Sequence, residues 1–147
     1  MIDYRPITSK IRETILASTS LGEDSIAFEG RAEKFHEQFP NADIYAEEII
    51  GFNSERRGDS VRAGMSLTVT YRLMSQVGKR PNIIEEVEEI RHEIVKAFYN
   101  MKPFEVGMPD GTVACVFIGE VQRRTAVNSD GWRLSPVDIT IRAIEKG

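Results

Sequence analysis

Two Glu-x-x-His units are the parts of this sequence whose residue types and spacing best suit catalytic chemistry. Glu33 and His36 form the first unit, and Glu89 and His92 form the second. On two facing helices this spacing binds paired iron or manganese ions, provided that two further helices each contribute a glutamate. The units therefore define one hypothesis for the function, a small di-metal carboxylate enzyme.

The elements predicted around these units count against that metal centre. Glu89 and His92 fall on the polar face of a predicted helix, where a closed metal site does not form within one subunit. Much of the remaining chain has the pattern of strands, so the two further helices are not predicted. Short motifs of this kind also recur by chance, which makes solvated charge the ordinary interpretation of both units.

No other pattern indicates catalysis. Cys115, the only cysteine, lies in the apolar run 113–118, where a thiol ordinarily packs as a small hydrophobic group. The sequence has neither a glycine-rich phosphate loop after a strand nor a Gly-x-Ser-x-Gly motif. We therefore expect a protein without enzymatic activity, without a metal and without a cofactor.

The charge balance bears on nucleic-acid partners. The 147 residues carry a formal net charge of −4, whereas non-specific affinity for nucleic acid comes from cations that neutralise phosphates. One basic cluster, formed by Arg56, Arg57 and Arg62, is offset by Glu55 and Asp59. A solvated loop or a protein contact is therefore favoured over a nucleic-acid patch.

The compartment is indicated by three features. The longest apolar run, 113–118, is too short to span a bilayer, and the N-terminal residues lack an apolar signal region. A single cysteine suits a reducing compartment. We expect synthesis in the cytoplasm and no membrane association.

The segment 81–100 carries the strongest helical pattern. Apolar residues recur there at steps of three and four and form one stripe: Ile83, Val87, Ile90, Ile94, Ala97 and Phe98. Asn82 is the predicted N-cap, with Glu85 as its capping-box partner, and Pro103 blocks continuation. Such a helix needs a sheet or another helix to cover its stripe.

Two further helices are predicted before it. Ile7, Ile11 and Ile15 are spaced four apart, which indicates an amphipathic helix over 6–18. A short helix is predicted within 26–40, limited by Gly30 and Pro40.

Four segments have the pattern of strands: 43–52, 65–73, 113–121 and 132–144. The first two are expected to pair as a hairpin across a polar loop over 53–62, and turns over 109–111 and 129–131 precede the other two. The apolar phase changes at Ser135 and Pro136, which predicts a bulge or an edge kink there. The sequence thus predicts one α+β domain over 1–147. In it, a mostly antiparallel or mixed four-stranded sheet is packed by a central amphipathic helix plus an N-terminal helix.

Several stretches resemble the tail terminator of lambda-like siphophages, the minor tail protein U family. The stretches are Ala-Phe-Glu-Gly-Arg-Ala at 27–32, Phe35, Phe-Pro-Asn-Ala-Asp-Ile-Tyr at 39–45, Arg123-Arg124, Gly131-Trp132 and Asp-Ile-Thr-Ile at 138–141. The order of elements between them also agrees, so the resemblance covers nearly the whole chain.

The resemblance implies a structural virion protein that assembles as a hexameric ring at the head-proximal end of the phage tail tube. There it would stop tube growth and present a surface to the head-tail neck protein, with DNA passing through the ring unbound. The protein would reach the virion tail from the host cytoplasm. A neck adaptor or stopper at the head-tail joint is the alternative within the same class.

Two sets of contact residues follow. By the resemblance, the long loop after the first strand touches the tail tube; here it comprises Asn53, Ser54, Glu55, Arg56, Arg57, Gly58, Asp59 and Arg62. The apolar start of the third strand and the edge expected near Pro136 are the candidate subunit interface: Val116, Ile118, Trp132 and Pro136. A heterologous ring needs two such different patches on each subunit.

Overall fold

The structure, a computed structural model, describes residues 2–28, 41–55, 58–72 and 78–146. Within these ranges the chain is an α+β protein with two α-helices and one sheet. The elements are α1 (Tyr4–Ser18), a 3₁₀ turn (Glu23–Ser25), β1 (Ile26–Phe28), β2 (Asn41–Glu55), β3 (Gly58–Arg72), α2 (Ile83–Phe98), β4 (Phe104–Gly107), β5 (Val113–Arg123), β6 (Val127–Ser129) and β7 (Trp132–Lys146).

The sheet has the order β1-β2-β3-β7-β5-β4, and β6 pairs with the N-terminal end of β7. Every pairing between described strands is antiparallel except that of β1 with β2. The four predicted strands are the four longest of these. The other three have three or four residues each, too few to show an alternating pattern.

Helix α1 confirms the predicted N-terminal helix and begins two residues earlier. The Asp3 carboxylate accepts a hydrogen bond of 2.9 Å from the Arg5 backbone N–H and so caps the first turn. Ile7, Ile11 and Ile15 are buried in the core.

Helix α2 confirms the central amphipathic helix, and its apolar stripe is buried against the sheet. The predicted side-chain cap is wrong. Asn82 makes no side-chain capping hydrogen bond and contributes only its backbone carbonyl, which accepts from Glu86 N–H. Glu85 and Glu86 in the first turn and Lys96 in the last still complement the helix dipole.

The core lies between these helices and one face of the sheet, the helix-covered face. Alternate residues of β3, β7 and β5 point into it and are buried: Ala63, Met65, Leu67, Val69, Tyr71, Val137, Ile139, Ile141, Ala143, Ala114 and Val116. Positions between them form the second face, and both described α-helices pack on the helix-covered one.

Strand β2 contains two irregularities of the bulge type. Its register with β3 shifts between Ala46 and Glu48 and again between Ile49 and Gly51. As a result Ile49 takes the register position opposite Ala63. A bulge inserts one extra residue and reverses the alternation after it, which a strict period of two cannot reveal.

The predicted irregularity at Ser135 and Pro136 is wrong, and Pro136 is not on an edge. The pairing of β7 with β3 runs without a shift from Trp132 to Ile144, and both residues are buried inside the sheet. The Pro136 carbonyl accepts from Arg124 N–H, on the side of β7 where β5 has ended and β6 has not begun. Because N–H and C=O of one strand residue point the same way, the missing proline donor faces this gap and costs no bond to β3.

The predicted short helix is wrong at its start, since Ile26–Phe28 forms strand β1 beside β2. The rest of that prediction, with Glu33 and His36, lies outside the described residues. Neither α-helix of the described ranges has the length and apolar character needed to cross a membrane.

Candidate interaction surfaces

The predicted polar loop over 53–62 is instead the end of a long β-hairpin. Strands β2 and β3 have 15 residues each and stay paired as far as Glu55 opposite Gly58. At about 3.4 Å per residue the hairpin is about 50 Å long. Arg56 and Arg57 lie outside the described residues. The other predicted tube-contact residues, Asn53, Ser54, Glu55, Gly58, Asp59 and Arg62, belong to the two strands.

The four predicted interface residues lie in different environments. Val116 is fully buried in the core and Pro136 is buried within the sheet, so neither is a surface residue of one chain. Ile118 packs against the core and is half-buried, as is Trp132 beside the β6–β7 turn. Val116 is buried because the even positions of the β5 apolar run point at the helices, and Pro136 is buried because β7 is a central strand. The assignment of the four residues to a subunit interface stays a prediction.

The second face of the sheet carries a pair of exposed arginines. Arg62 of β3 lies directly opposite Arg142 of β7, and Phe117 of β5 lies directly opposite Arg142 on its other side. All three side chains are exposed, Phe117 to 38%. Within the described part of the chain, neither arginine forms an ion pair.

These three side chains border a cleft of about 360 Å³ that Gly119, Thr140 and Ile141 complete. We call it the arginine cleft. Its floor is a bulge of β5 between Ile118 and Val121, where the Thr140 hydroxyl accepts a 2.8 Å hydrogen bond from Glu120 N–H. A Cβ on Gly119 would lie 2.7 Å from that hydroxyl oxygen, so the close approach requires glycine.

Further along the second face, β3 is covered. Ser66, Thr68 and Thr70 are buried there, and the Ser66 and Thr68 hydroxyls lie 3.2 Å apart. On β3, the described exposed residue of this face, Arg62, therefore lies toward the hairpin end, at the arginine cleft.

A third arginine, Arg91 of α2, is buried and engaged in contacts with the protein's own backbone and with Glu88. It is only 5% exposed, and its guanidinium donates to the backbone carbonyls of Arg124 and Pro136. It also forms a 2.8 Å ion pair with Glu88. Arg91 thus ties α2 to the sheet at the gap between β5 and β6.

Three residues of the stretches that carry the resemblance lie around this gap. Arg124 forms a 2.6 Å ion pair with Asp138, and Arg123 lies 3.6 Å from Glu88. These ion pairs link the end of β5 to β7 and to α2. Sequence reasoning missed Arg91, although its spacing from Val87 and Ile94 places it on the buried stripe.

The first half of α2 exposes two glutamates and one apolar side chain, whereas His92 and Lys96 are exposed further along the helix. Glu85 and Glu89 are exposed one turn apart, and neither pairs with a cation among the described residues. Ile84 beside them is 52% exposed. We call these three residues the acidic helix face.

The described half of the hypothetical metal centre shows no cluster. Glu89 and His92 are exposed on α2, and the described residues contain no group of three or more potential metal-binding His, Cys, Asp or Glu side chains. Cys115 is a half-buried free thiol.

The turn at 109–111 confirms its prediction and holds a perturbed carboxyl. Gly111 adopts a φ of 87°, and Asp110 accepts hydrogen bonds from the hydroxyl and the backbone N–H of Thr112, at 2.5 and 3.0 Å. These bonds lower the pKa of Asp110 to about 2.

No protein family and no curated protein matches the sequence. The fold, however, is similar to solved structures over its full length. One is a chain from the virion of a native gene transfer agent particle, with a TM-score of 0.55, 10% identity, and coverage of 99% of this chain and 100% of that chain. Another, whose name states no function, has a TM-score of 0.56 and 11% identity, covering 97% and 96%. At these identities the likeness establishes a shared fold.

Proposed function

We propose that this protein is a structural assembly protein of a phage-like virion, and specifically a tail terminator that closes the head-proximal end of the tail tube as a hexameric ring. The observation that carries the proposal is the fold shared, over nearly all of both chains, with a component of a gene transfer agent virion. The sequence resemblance to the minor tail protein U family points to the same class of protein.

The proposed activity needs surfaces rather than a catalytic centre. A terminator binds the last ring of the tube through one surface and offers a different surface on its far side, so that no further tube subunit can add. The end of the β2–β3 hairpin is the proposed tube contact, because the resemblance assigns this segment to the tube and the two 15-residue strands stay paired as far as Glu55 opposite Gly58. Specificity would come from shape and charge complementarity, without turnover.

The ring would also have to let DNA pass without retaining it. A chain with a formal net charge of −4 repels phosphates on average, and the cations around the β5–β6 gap are engaged in ion pairs with Glu88 and Asp138. Passage of DNA through such a ring is therefore compatible with its electrostatics.

The first test is the mass of the purified protein, measured by light scattering after size exclusion over a wide concentration range, with negative-stain images of the largest species. Rings of six subunits are expected. A ring of another number would contradict the proposed hexamer.

The second test is capping of tubes assembled from the tail tube protein of the same particle. Tubes grown with this protein should be shorter, with density at one end only. Replacing Arg56 and Arg57 with alanine should lower the fraction of capped ends, whereas alanine at the exposed Lys10 and Lys102 should not. Tubes of unchanged length with bare ends would refute the terminator.

A further inference from the structure

We infer that the arginine cleft receives the acidic helix face of a second copy of this chain, and that this contact joins neighbouring subunits of the ring. The inference rests on the proposed function for the existence of a ring, and it names the contact that builds it. It also reassigns Arg62 from the tail-tube contact to the subunit contact.

The arginine pair of the cleft destabilises an isolated subunit. Arg62 and Arg142 occupy directly opposite positions on neighbouring strands, where like charges destabilise a sheet. Neither forms an ion pair with a described acidic side chain of this subunit, and both are exposed. A partner that brings carboxylates would convert this repulsion into attraction.

The composition of the cleft specifies that partner more closely. Arginine with an exposed aromatic ring is typical of protein contact sites, and Phe117 lies beside Arg142 across β5. The partner should therefore carry two carboxylates and an apolar side chain next to them.

The chain itself presents that combination on α2. Glu85 and Glu89 are one helical turn apart, a spacing of about 5–6 Å between Cβ atoms. Directly opposite positions on antiparallel strands are about 4.5–5.5 Å apart, so two carboxylates can meet two guanidiniums at once. Ile84, 52% exposed, supplies the apolar side chain for Phe117.

The two patches lie on opposite sides of the subunit. Helix α2 buries its apolar stripe on the helix-covered face of the sheet, so its acidic face points outward, whereas the arginine cleft is on the second face. The contact is therefore heterologous: each subunit uses its cleft toward one neighbour and its helix toward the other. Such a contact closes into a ring when the rotation per subunit permits.

Charge reversal tests the contact. The cleft variant Arg62→Glu/Arg142→Glu and the helix variant Glu85→Arg/Glu89→Arg should each associate at least about tenfold more weakly than wild type, because each then faces like charges. Mixed in equal amounts, the two variants should assemble again in alternation, since every cleft then meets a helix of opposite charge. The matched control Lys10→Glu/Lys102→Glu, which changes exposed cations elsewhere, should assemble as wild type.

The measurements are the mass by light scattering, for each variant and for the mixture, and circular dichroism to confirm folding. Unchanged assembly of both reversal variants, or no recovery in the mixture, would overturn the contact. A wild-type protein that stays monomeric at every concentration would also overturn it. If the wild type retained DNA and the cleft variant did not, the arginines would be assigned to phosphate binding instead. If rings of six form but the reversals do not change assembly, the contact is wrong and the terminator proposal stands. The terminator proposal is tested separately, by the capping of tubes.

Discussion

The two faces of the sheet differ in how far they bury neighbouring residues of the same strand. Val116 and Phe117 are adjacent in β5, yet Val116 is fully buried under the helices and Phe117 borders an exposed cleft. The first face folds the chain, and the second is available for contact. A run of apolar residues along one strand therefore serves two separate purposes.

The arginines repeat this difference. Arg91 is buried and donates to two backbone carbonyls, so its charge completes the fold. Arg62 and Arg142 are exposed and directly opposite each other, an arrangement that costs rather than stabilises. Arginine therefore stabilises the fold on the first face and is available for contact on the second.

The largest expected effect comes from placing a carboxylate on each face in turn. Val116→Asp buries an unpaired charge, which costs several kcal/mol against a typical total stability of about 5–15 kcal/mol. We expect Val116→Asp to be largely unfolded by circular dichroism. Phe117→Asp should fold and melt cooperatively, and lose self-association only. If the two variants behaved alike, the distinction between the faces would be broken.

The arginine comparison predicts a smaller difference. Arg91→Leu leaves the Arg124 and Pro136 carbonyls without this donor, and hydrogen bonds to charged groups contribute about 1.5–3 kcal/mol. Arg142→Leu should change the free energy of unfolding by no more than about 0.5 kcal/mol, as at other exposed sites. Urea unfolding of both variants measures this, and equal losses would contradict the structural role of Arg91.

The floor of the arginine cleft gives a third prediction. Gly119→Ala places a Cβ against the Thr140 hydroxyl, and overpacking of this kind costs about 1–3 kcal/mol. Gly107→Ala, where an added Cβ meets nothing within 4 Å, should be nearly neutral. Thr140→Ala should partly rescue Gly119→Ala in thermal unfolding. Strictly additive losses would show that the close approach is not the cause.

The smallest effect concerns the β4–β5 turn, which neither face covers. Asp110 should titrate at a pKa of about 2 by carboxyl NMR, and Thr112→Val should move it toward the ordinary 3.8 because the hydroxyl donor is lost. Since the folded pKa is lowered, the carboxylate stabilises the fold above pH 4, and this contribution disappears as the pH falls toward 2. Thr14→Val, which removes a distant hydroxyl, should leave the Asp110 pKa unchanged.

The sequence by itself determined the two described α-helices, the existence of the four long strands, and the turns at 109–111 and 129–131. Periods of 3.6 and 2 depend on side chains close in the chain, and the stripes Ile7–Ile11–Ile15 and Ile83–Val87–Ile90–Ile94 are local signals of this kind. Asp110-Gly111 and Asp130-Gly131 set their turns through the positive φ they adopt at Gly111, Asp130 and Gly131.

Only the tertiary structure decided which residues form the candidate site. Arg142 has apolar neighbours on both sides in the sequence, and it becomes part of a charged pair only through the register that places it opposite Arg62. Pro136 suggested an edge by its chemistry, but the order of strands put β7 in the middle, with the proline at a gap in its neighbours. Register and strand order join residues that are distant in the chain, and local patterns carry no information about such partners.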